Sequence, residues 1–211
     1  MDILGTTVKK THKPQIITES EREAVYTSQF GYNYWDDPHF APGYRGYHYD
    51  GRWKEPAQQL LDHFQVPIGG SVLDVGCGKG FLLYELSRLR PDLDIRGLDI
   101  SRYAIENSKP EIRDRITLGT ATALPFRNRQ FDLVICLVTI YHLPEAECAN
   151  AIQEVERVGK RKLISMLTYR TETERKNLGF DSGRTYKSLE EWKSFYRSVG
   201  YTGEASWIVF E

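Results

Sequence analysis

The chain has 211 residues, 40% of them hydrophobic and 27% charged, which is typical of one soluble domain that folds without disulfides. Its 28 basic and 29 acidic residues leave a net charge of −1, so electrostatics give no reason to expect a nucleic acid or a membrane as partner. The N-terminus lacks the apolar core of a signal peptide, and no apolar run is long enough to cross a bilayer. The three cysteines show no metal-ligand spacing. We therefore expect a cytoplasmic protein without a metal site.

The first 53 residues differ in character from the rest of the chain. Residues 1–25 are polar and aperiodic, and we interpret them as a loose tail. Residues 26–53, here called the aromatic segment, are rich in tyrosine and tryptophan, including Tyr34 and Trp35. Glycines and prolines interrupt this segment, which argues against a regular helix. We predict that residues 1–53 form a tail and a covering segment, and that residues 54–211 form the main domain.

Short apolar runs then alternate with helical patterns, beginning with a helix predicted over residues 54–65. The predicted strands are Val72–Val75, Asp94–Ile100, Ile116–Leu118, Phe131–Val138, Leu163–Leu167 and Tyr201–Phe210. The basic run 160–162 is assigned to the turn before the fifth strand. Strands separated by helices pair in parallel through crossovers, so we predict an α/β fold with a Rossmann-like, doubly wound, mostly parallel sheet.

A glycine-rich turn follows the first of these strands, in the stretch Val72-Leu73-Asp74-Val75-Gly76-Cys77-Gly78-Lys79-Gly80-Phe81. Three glycines at a spacing of two let the backbone turn sharply and approach a ligand closely. Phe81 stands where a dinucleotide fingerprint needs glycine, and the Ser or Thr of a phosphate-binding loop is absent after Lys79. Asp74 suits an ammonium better than a pyrophosphate. Asp99 ends the second strand, where a carboxylate can accept hydrogen bonds from ribose hydroxyls.

This stretch resembles the cofactor-binding motif of class I S-adenosylmethionine-dependent methyltransferases (methyltransferase type 11-like), and the similarity extends over residues 71–168. The resemblance implies S-adenosylmethionine as cofactor and methyl transfer as activity. In that family, residues matching Gly76, Cys77 and Gly78 surround the methionine part of the cofactor. Residues matching Asp74 and Asp99 hold its amino end and its ribose.

The loop after the third strand, residues 119–126, resembles the loop that lines the adenine in that family. Thr120 stands where the family often has an acidic residue, and its hydroxyl can accept from the adenine amino group in the same way. The Ala121 amide is expected to serve a ring nitrogen. The remaining cofactor contacts that we predict are Ile100, Tyr49 and Arg52.

The carboxyl end of the fourth strand, residues 139–143, is expected to face the methyl group. His142 is the candidate general base, with a packing or orienting role as the alternative. Tyr141 is expected to shape the acceptor pocket. The aromatic segment is expected to cover the cofactor, as the N-terminal region does in related enzymes. Further predicted acceptor contacts are Tyr34, Trp35, Tyr169 and Arg170, and the alternative bases are His39 and His48.

The end of the fourth strand lacks the motifs of family members that methylate DNA bases or glutamine, and it lacks the acidic ligand of metal-dependent members. The resemblance therefore implies a metal-free enzyme for a small-molecule acceptor, with a hydroxyl of a sugar, nucleotide-linked sugar or secondary metabolite favoured. The alternatives are an N-methyltransferase on a small amine, a non-catalytic binding protein, a protein or RNA methyltransferase and a nicotinamide-dependent oxidoreductase. The residues specify neither the acceptor nor the oligomeric state. They also leave open whether the family's usual final antiparallel strand pair is present.

Overall fold

The computed structural model describes residues 7–8 and 16–210. The helices are α1 (Glu19–Thr27), α2 (Tyr32–Trp35), α3 (Lys54–Phe64), α4 (Phe81–Leu89), α5 (Arg102–Glu106), α6 (Pro110–Arg113), α7 (Glu145–Val158), α8 (Glu172–Lys176) and α9 (Leu189–Ser198). Residues Ile140–His142 and Asn177–Phe180 form 3₁₀ helices. The strands are β1 (Thr7–Val8), β2 (Ser71–Val75), β3 (Asp94–Asp99), β4 (Ile116–Leu118), β5 (Phe131–Leu137), β6 (Gly159–Leu167) and β7 (Glu204–Phe210). No helix in this described part of the chain is both long and apolar enough to cross a membrane.

The strands form one sheet in the order β1-β7-β6-β5-β2-β3-β4, and every neighbouring pair is parallel. The prediction of a Rossmann-like α/β fold is thereby confirmed. Strand β2 lies between β3 and β5, with Asp74 opposite Gly97 on one side and Ile135 on the other. The strand order reverses at this point, and ligands of such sheets bind beyond the carboxyl ends of the strands there.

The alternation of side chains along each strand divides the core into two layers, one on each face of the sheet. In β2, Leu73 packs in the cluster that contains residues of α7 and α9. Its neighbour Val72 packs in the cluster that contains residues of α3 and α4. Both Val72 and Leu73 are fully buried. The near-continuous apolar character of the central strands therefore follows from helices on both faces.

The assignment of residues 1–25 to a loose tail is wrong for Thr7–Val8, which form β1 and pair with β7, and for residues 19–25, which belong to α1. Residues 1–6 and 9–15 lie outside the described residues. Helix α1 begins after Thr18, whose side chain accepts from the Glu21 amide while the Glu21 carboxylate accepts from the Thr18 amide. This reciprocal capping satisfies two donors at the helix start. Val25 then buries the inner face of the helix.

The basic run 160–162 is also misplaced by the sequence, because it lies within β6 and not in a turn. Lys160 remains at the surface and pairs with Asp132 at 2.8 Å. Lys162 is buried in the strand, where its ammonium lies 2.7 Å from the Glu156 carboxylate on α7. A tertiary partner thus allows a lysine where the local sequence disfavours one.

At the C-terminal end, β7 pairs in parallel with β6, with Leu163 opposite Glu204. The segment 169–187 holds α8 and a 3₁₀ helix, and it contributes no strand to the sheet. The described residues therefore form a sheet without an antiparallel member, and β1 takes the edge position beyond β7. Ser188 and Glu191 form a capping box at the start of α9.

Candidate functional site

A cavity of about 330 Å³ lies at the carboxyl ends of β2, β3 and β5, within the size range of small-molecule sites. The strand ends form its floor, and the aromatic segment forms much of its wall. The predicted site residues that line it are Tyr34, Trp35, Gly76, Asp99, Ile100, Thr120, Ala121 and His142. The cavity therefore brings together residues predicted for the cofactor and for the acceptor.

The glycine turn needs two of its glycines for both conformation and space. Gly76 and Gly78 have φ angles of 76° and 55°, in the left-handed region that side chains disfavour. A Cβ at Gly76 would collide with Thr139 at the end of β5, and one at Gly78 would lie 2.6 Å from Trp35. Cys77 and Gly78 shape the turn without lining the cavity. The turn thus allows the strand ends and the aromatic segment to approach each other closely.

Asp99 presents a fixed carboxylate to the cavity. Its two oxygens accept hydrogen bonds from the amides of Gly78, at 2.6 Å, and Ser101, at 2.8 Å. Burial raises the pKa of Asp99, while these two amides act in the opposite direction. Each carboxylate oxygen keeps a second lone pair for a ligand. The Asp99 carboxylate is therefore placed to accept hydrogen bonds from two neighbouring ribose hydroxyls.

Asp74 is buried beneath the turn and does not line the cavity itself. Burial, followed by the negative charge of Asp99, raises the pKa of Asp74 to about 7. Among the described residues, no hydrogen-bond donor reaches its carboxylate, which is costly for a buried polar group. A cation near the turn would stabilise the ionised form. The site therefore fits the ammonium end of S-adenosylmethionine.

The loop 119–126 is held in place from helix α7. The Glu154 carboxylate accepts from the Leu124 amide at 2.7 Å, and the Arg157 guanidinium donates to the Leu124 carbonyl at 3.0 Å. Within the loop, the Thr120 hydroxyl lies 2.9 Å from the Thr122 hydroxyl. The Thr120 oxygen also accepts from the Thr122 amide at 3.3 Å. When the Thr120 hydroxyl donates to the Thr122 hydroxyl, one of its two acceptor lone pairs remains for the cavity.

A buried ion pair joins the glycine turn to the aromatic segment. Lys79 is 4% exposed, and its ammonium lies 2.6 and 2.7 Å from the two carboxylate oxygens of Asp36. The Tyr47 carbonyl accepts from the same ammonium at 3.0 Å. The Tyr103 hydroxyl donates to Asp36 at 2.8 Å. Sequence reasoning missed this pair, although a lysine in a glycine turn that matches no phosphate-binding loop was a signal.

A second connection runs through Ser101. Its hydroxyl accepts from the Trp35 indole at 3.1 Å and donates to the Phe30 carbonyl at 2.5 Å. The Trp35 ring stacks on Tyr44 with centroids 5.2 Å apart. Because the Ser101 amide also donates to Asp99, one residue connects the carboxylate to the wall of the cavity.

His142 lines the cavity from the 3₁₀ helix that follows β5, on the other side of β2 from Asp99 at the end of β3. Its ring contacts those of Phe30 and Tyr34, with centroid distances of 5.3 and 6.2 Å. Burial lowers the pKa of His142 below its ordinary value, so the imidazole is neutral at pH 7. The Tyr26 hydroxyl lies 3.4 Å from Nδ1. A neutral imidazole in a cavity can accept a proton.

Helix α1 closes this end of the cavity against the segment after β6. The Arg22 guanidinium donates to the carbonyls of Asp181 and Gly183 at 2.8 and 2.7 Å. The Arg184 guanidinium lies 3.6 Å from the centroid of the Tyr26 ring. Sequence reasoning missed these residues, because contacts across about 160 positions leave no local pattern.

The structure places two predicted cofactor contacts elsewhere. Tyr49 donates its hydroxyl to Glu85, and Lys109 lies 4.2 Å from its ring centroid. Tyr49 lines a second cavity, of about 320 Å³. Arg52 pairs with Asp50 at 2.6 Å on the surface. Neither residue reaches the first cavity, because each is held by a partner near it in the chain or on α4.

The predicted acceptor contacts Tyr169 and Arg170 also lie away from the cavity. Tyr169 makes a hydrogen bond of 3.4 Å to Glu191, and Arg170 pairs with Glu174 at 2.6 Å at the start of α8. Neither residue lines the cavity, and both support the segment after β6.

The remaining predicted acceptor contact, Tyr141, is buried behind the cavity wall, with its hydroxyl 3.2 Å from Asp181. Of the alternative bases, His39 is exposed and His48 lines the second cavity. No three His, Cys, Asp or Glu side chains among the described residues meet as a metal site would require.

Comparison with known proteins places this site in a family. A family model described as "Methyltransferase domain" matches residues 72–162. Methyltransferase GfsG of Streptomyces halstedii is 28% identical over 142 residues, which cover 64% of this chain and 48% of that protein. A demethylmenaquinone methyltransferase of Roseiflexus sp. (strain RS-1) is 33% identical over 114 residues, which cover 53% of this chain and 46% of that protein. The chain thus spans about half the length of the curated relatives it matches.

Among solved structures, the YcgJ protein of Bacillus subtilis shares the fold, with a TM-score of 0.56 and 22% identity. The match covers 68% of this chain and 66% of that one. The resemblance inferred from the glycine turn and Asp99 is therefore confirmed, and S-adenosylmethionine is the cofactor of this class. Over residues 72–162 the chain matches the methyltransferase domain model, in agreement with the resemblance to class I S-adenosylmethionine-dependent methyltransferases.

Proposed function

We propose that this protein transfers the methyl group of S-adenosylmethionine to a small-molecule acceptor, with a hydroxyl favoured over an amine. The observation that supports this most directly is one continuous cavity with Asp99 at one end and a neutral His142 at the other. The bound cofactor would supply an electrophilic methyl group on a sulfonium. The protein has to bind, to orient the acceptor and to take up a proton.

The cofactor end would hold the nucleoside through three strand ends. Asp99 would accept from the ribose hydroxyls, and Ile100 would lie beside the adenine. Thr120 would accept from the adenine amino group, and the Ala121 amide would donate to the ring. All four residues line the cavity. The amino-acid arm would then pass the turn at Gly76, near the buried carboxyl of Asp74.

The acceptor end would exclude water and hold the acceptor oxygen in line with the methyl group. Aromatic side chains of the aromatic segment, including Phe30 and Tyr34, line this end and would act as a lid. The bound cofactor would supply the methyl group to the acceptor oxygen and leave as S-adenosylhomocysteine, with a methyl ether as the other product. His142 would take the hydroxyl proton on its unprotonated ring nitrogen. Orientation of this kind contributes about 7–11 kcal/mol in well-aligned reactions.

Two further considerations favour this acceptor class. The relative from Roseiflexus is named for demethylmenaquinone, which supports the small-molecule part of the proposal. A buried neutral imidazole has a clear use with a hydroxyl, which must lose a proton, whereas a neutral amine can attack without a base. The amine alternative predicts that His142 is dispensable.

The test is a methyl-transfer assay that follows S-adenosylhomocysteine with a panel of phenols, sugars, nucleotide-linked sugars and small amines. With an accepted substrate, we expect His142→Asn to lower kcat by about 100-fold or more. The matched control is His39→Asn, because His39 is exposed on the aromatic segment. Equal turnover by both variants would remove His142 from the mechanism. Absence of S-adenosylmethionine binding in calorimetry would overturn the proposal as a whole.

The pH dependence provides a second check. The pKa of His142 is lowered by burial, so the imidazole is already unprotonated at pH 7. We expect kcat/KM to fall only as the pH drops below the ordinary pKa of histidine, about 6.5. A fall that begins well above pH 7 would indicate a different base.

A further inference from the structure

The tautomer of His142 decides whether it can act as a base toward the cavity. A neutral imidazole carries its proton on one ring nitrogen and accepts on the other. Tyr26, on the last turn of α1, is the hydroxyl that reaches this ring from 116 positions away. Its hydroxyl oxygen lies 2.5 Å from the Ser182 carbonyl and 3.4 Å from Nδ1 of His142.

These two distances assign the proton of the Tyr26 hydroxyl. A phenol has a single O–H, and the Ser182 carbonyl can only accept, so the shorter contact is the one in which Tyr26 donates. The phenol oxygen therefore turns a lone pair toward Nδ1. For the longer contact to be attractive, Nδ1 of His142 must carry the proton.

The surroundings keep both groups in the forms that this assignment requires. Burial raises the pKa of Tyr26, so its hydroxyl stays protonated. Burial lowers the pKa of His142, so its ring stays neutral. The charged groups that face this pair are Arg22, Glu23, Asp181 and Arg184.

Among residues 16–210, the hydrogen-bond partners of the His142 ring are the Tyr26 hydroxyl at Nδ1 and the Ser182 carbonyl, which lies beside that hydroxyl. With the proton on Nδ1, Nε2 carries the free lone pair of the imidazole. The ring is held between Phe30 and Tyr141, with centroid distances of 5.3 and 4.3 Å. His142 lines the cavity, which leaves Nε2 as the nitrogen available to an acceptor hydroxyl.

We infer that Tyr26 is a positioning residue that holds His142 in the tautomer with the proton on Nδ1, and so makes Nε2 the base. This inference rests on the proposed function, in which His142 accepts the proton of the acceptor hydroxyl. It gives the end of α1 a role beyond covering the cavity. It also explains why a polar hydroxyl lies among the rings around His142.

The decisive experiment is long-range ¹H–¹⁵N correlation NMR of the ¹⁵N-labelled full chain at pH 7.5, with His142→Asn used for assignment. We expect the wild-type ring to show a protonated Nδ1 and an unprotonated Nε2. In Tyr26→Phe, which keeps the ring and removes only the hydroxyl, both nitrogen shifts should move toward the other tautomer. A wild-type ring protonated on Nε2, or a Tyr26→Phe spectrum identical to that of the wild type, would overturn the inference.

A kinetic comparison separates this inference from the proposed function. With an accepted substrate, we expect Tyr26→Phe to lower kcat about tenfold at unchanged cofactor affinity. Tyr32→Phe is the matched control, because Tyr32 is 54% exposed on the same segment. If His142→Asn abolishes turnover while Tyr26→Phe matches Tyr32→Phe, the role of Tyr26 is disproved and the proposed function stands. If methyl transfer itself fails, the NMR experiment still reports the tautomer.

Discussion

The two ends of the cavity are built in different ways. At the cofactor end, Gly76, Asp99 and Thr120 each lie at or just after the end of a parallel strand. The backbone amides of Gly78 and Ser101 hold the Asp99 carboxylate. At the acceptor end, His142 meets Tyr26 across 116 positions of the chain. Sheet geometry fixes the first end, whereas the docking of α1 fixes the second. The cofactor end can therefore be predicted from short sequence motifs, whereas the acceptor end depends on tertiary contacts.

The largest effect on stability is expected at the buried pair of Lys79 and Asp36, which joins the glycine turn to the aromatic segment. Replacing Lys79→Met leaves the Asp36 carboxylate buried without its counter-ion, and we expect a loss of about 3–5 kcal/mol in the free energy of unfolding. Urea denaturation measures it. Lys79→Met combined with Asp36→Asn should recover part of the loss. The control is Lys193→Met, since Lys193 pairs with Glu190 at the exposed surface; a similar loss there would contradict the assignment.

The next largest effect is confined to the cofactor end. Asp99→Asn removes the charge that the ribose hydroxyls would meet, and we expect about 100-fold weaker binding of S-adenosylhomocysteine, or about 3 kcal/mol. Calorimetry measures the dissociation constant. Asp94→Asn is the control, because Asp94 lies at the far end of the same strand and pairs with Arg96. Equal affinities of the two variants would show that the nucleoside lies elsewhere.

Asp74 links the cofactor end to pH. Because burial raises its pKa to about 7, Asp74 is mostly neutral at pH 6 and ionised at pH 8. An ammonium nearby then binds better at the higher pH, with a limit of about tenfold per pH unit below the pKa. Calorimetric titration with S-adenosylmethionine from pH 6 to pH 8 tests this. Asp74→Asn should flatten the dependence, and an unchanged slope would exclude Asp74.

The same shift has the opposite sign for stability. A carboxyl whose folded pKa is raised favours the folded state most at low pH, and that contribution is lost as the pH rises from about 4 through about 7. In the absence of cofactor, the difference in unfolding free energy between Asp74→Asn and the wild type should therefore shift in favour of the variant from pH 5 to pH 8. A constant difference would contradict the raised pKa.

The smallest effect is expected at the adenine loop. Thr120→Val removes one neutral acceptor, which contributes about 1 kcal/mol, so the affinity for S-adenosylhomocysteine should fall about fivefold. Thr120→Ser keeps the hydroxyl and should bind as the wild type does. Calorimetry compares the two variants. An undiminished affinity in Thr120→Val would assign the adenine to the Ala121 amide alone.

The sequence predicts the sheet and the cofactor end well, because both rest on local signals. The strand Ile116–Leu118 has the predicted bounds, and the glycines at 76 and 78 occupy left-handed positions that only a tight turn requires. The start of α1 was also predictable from Thr18 and Glu21, whose spacing is that of a capping box. That signal was overlooked because the surrounding residues are polar.

Other features had no local signal. Lys162 lies in a strand because Glu156, on the preceding helix, meets its ammonium. Tyr49 belongs to the aromatic segment, but its hydroxyl donates to Glu85 on α4 and so lies away from the first cavity. Asp181 accepts from the hydroxyls of Tyr141 and Tyr186, a role that no motif around it suggests. In each case a single distant partner decides the position, and one sequence does not reveal such pairs.

Ser101 has a consequence for how the N-terminal part of the chain behaves. Its amide supports the Asp99 carboxylate, and its hydroxyl holds Phe30 and Trp35. Binding linkage is reciprocal. If a bound nucleoside lowers the rate of proteolysis of residues 28–47 by stabilising their folded form, then unfolding of these residues lowers the affinity for the nucleoside by the same factor. The rate of proteolytic cleavage within residues 28–47 would thus measure the fraction of protein that has a nucleoside bound.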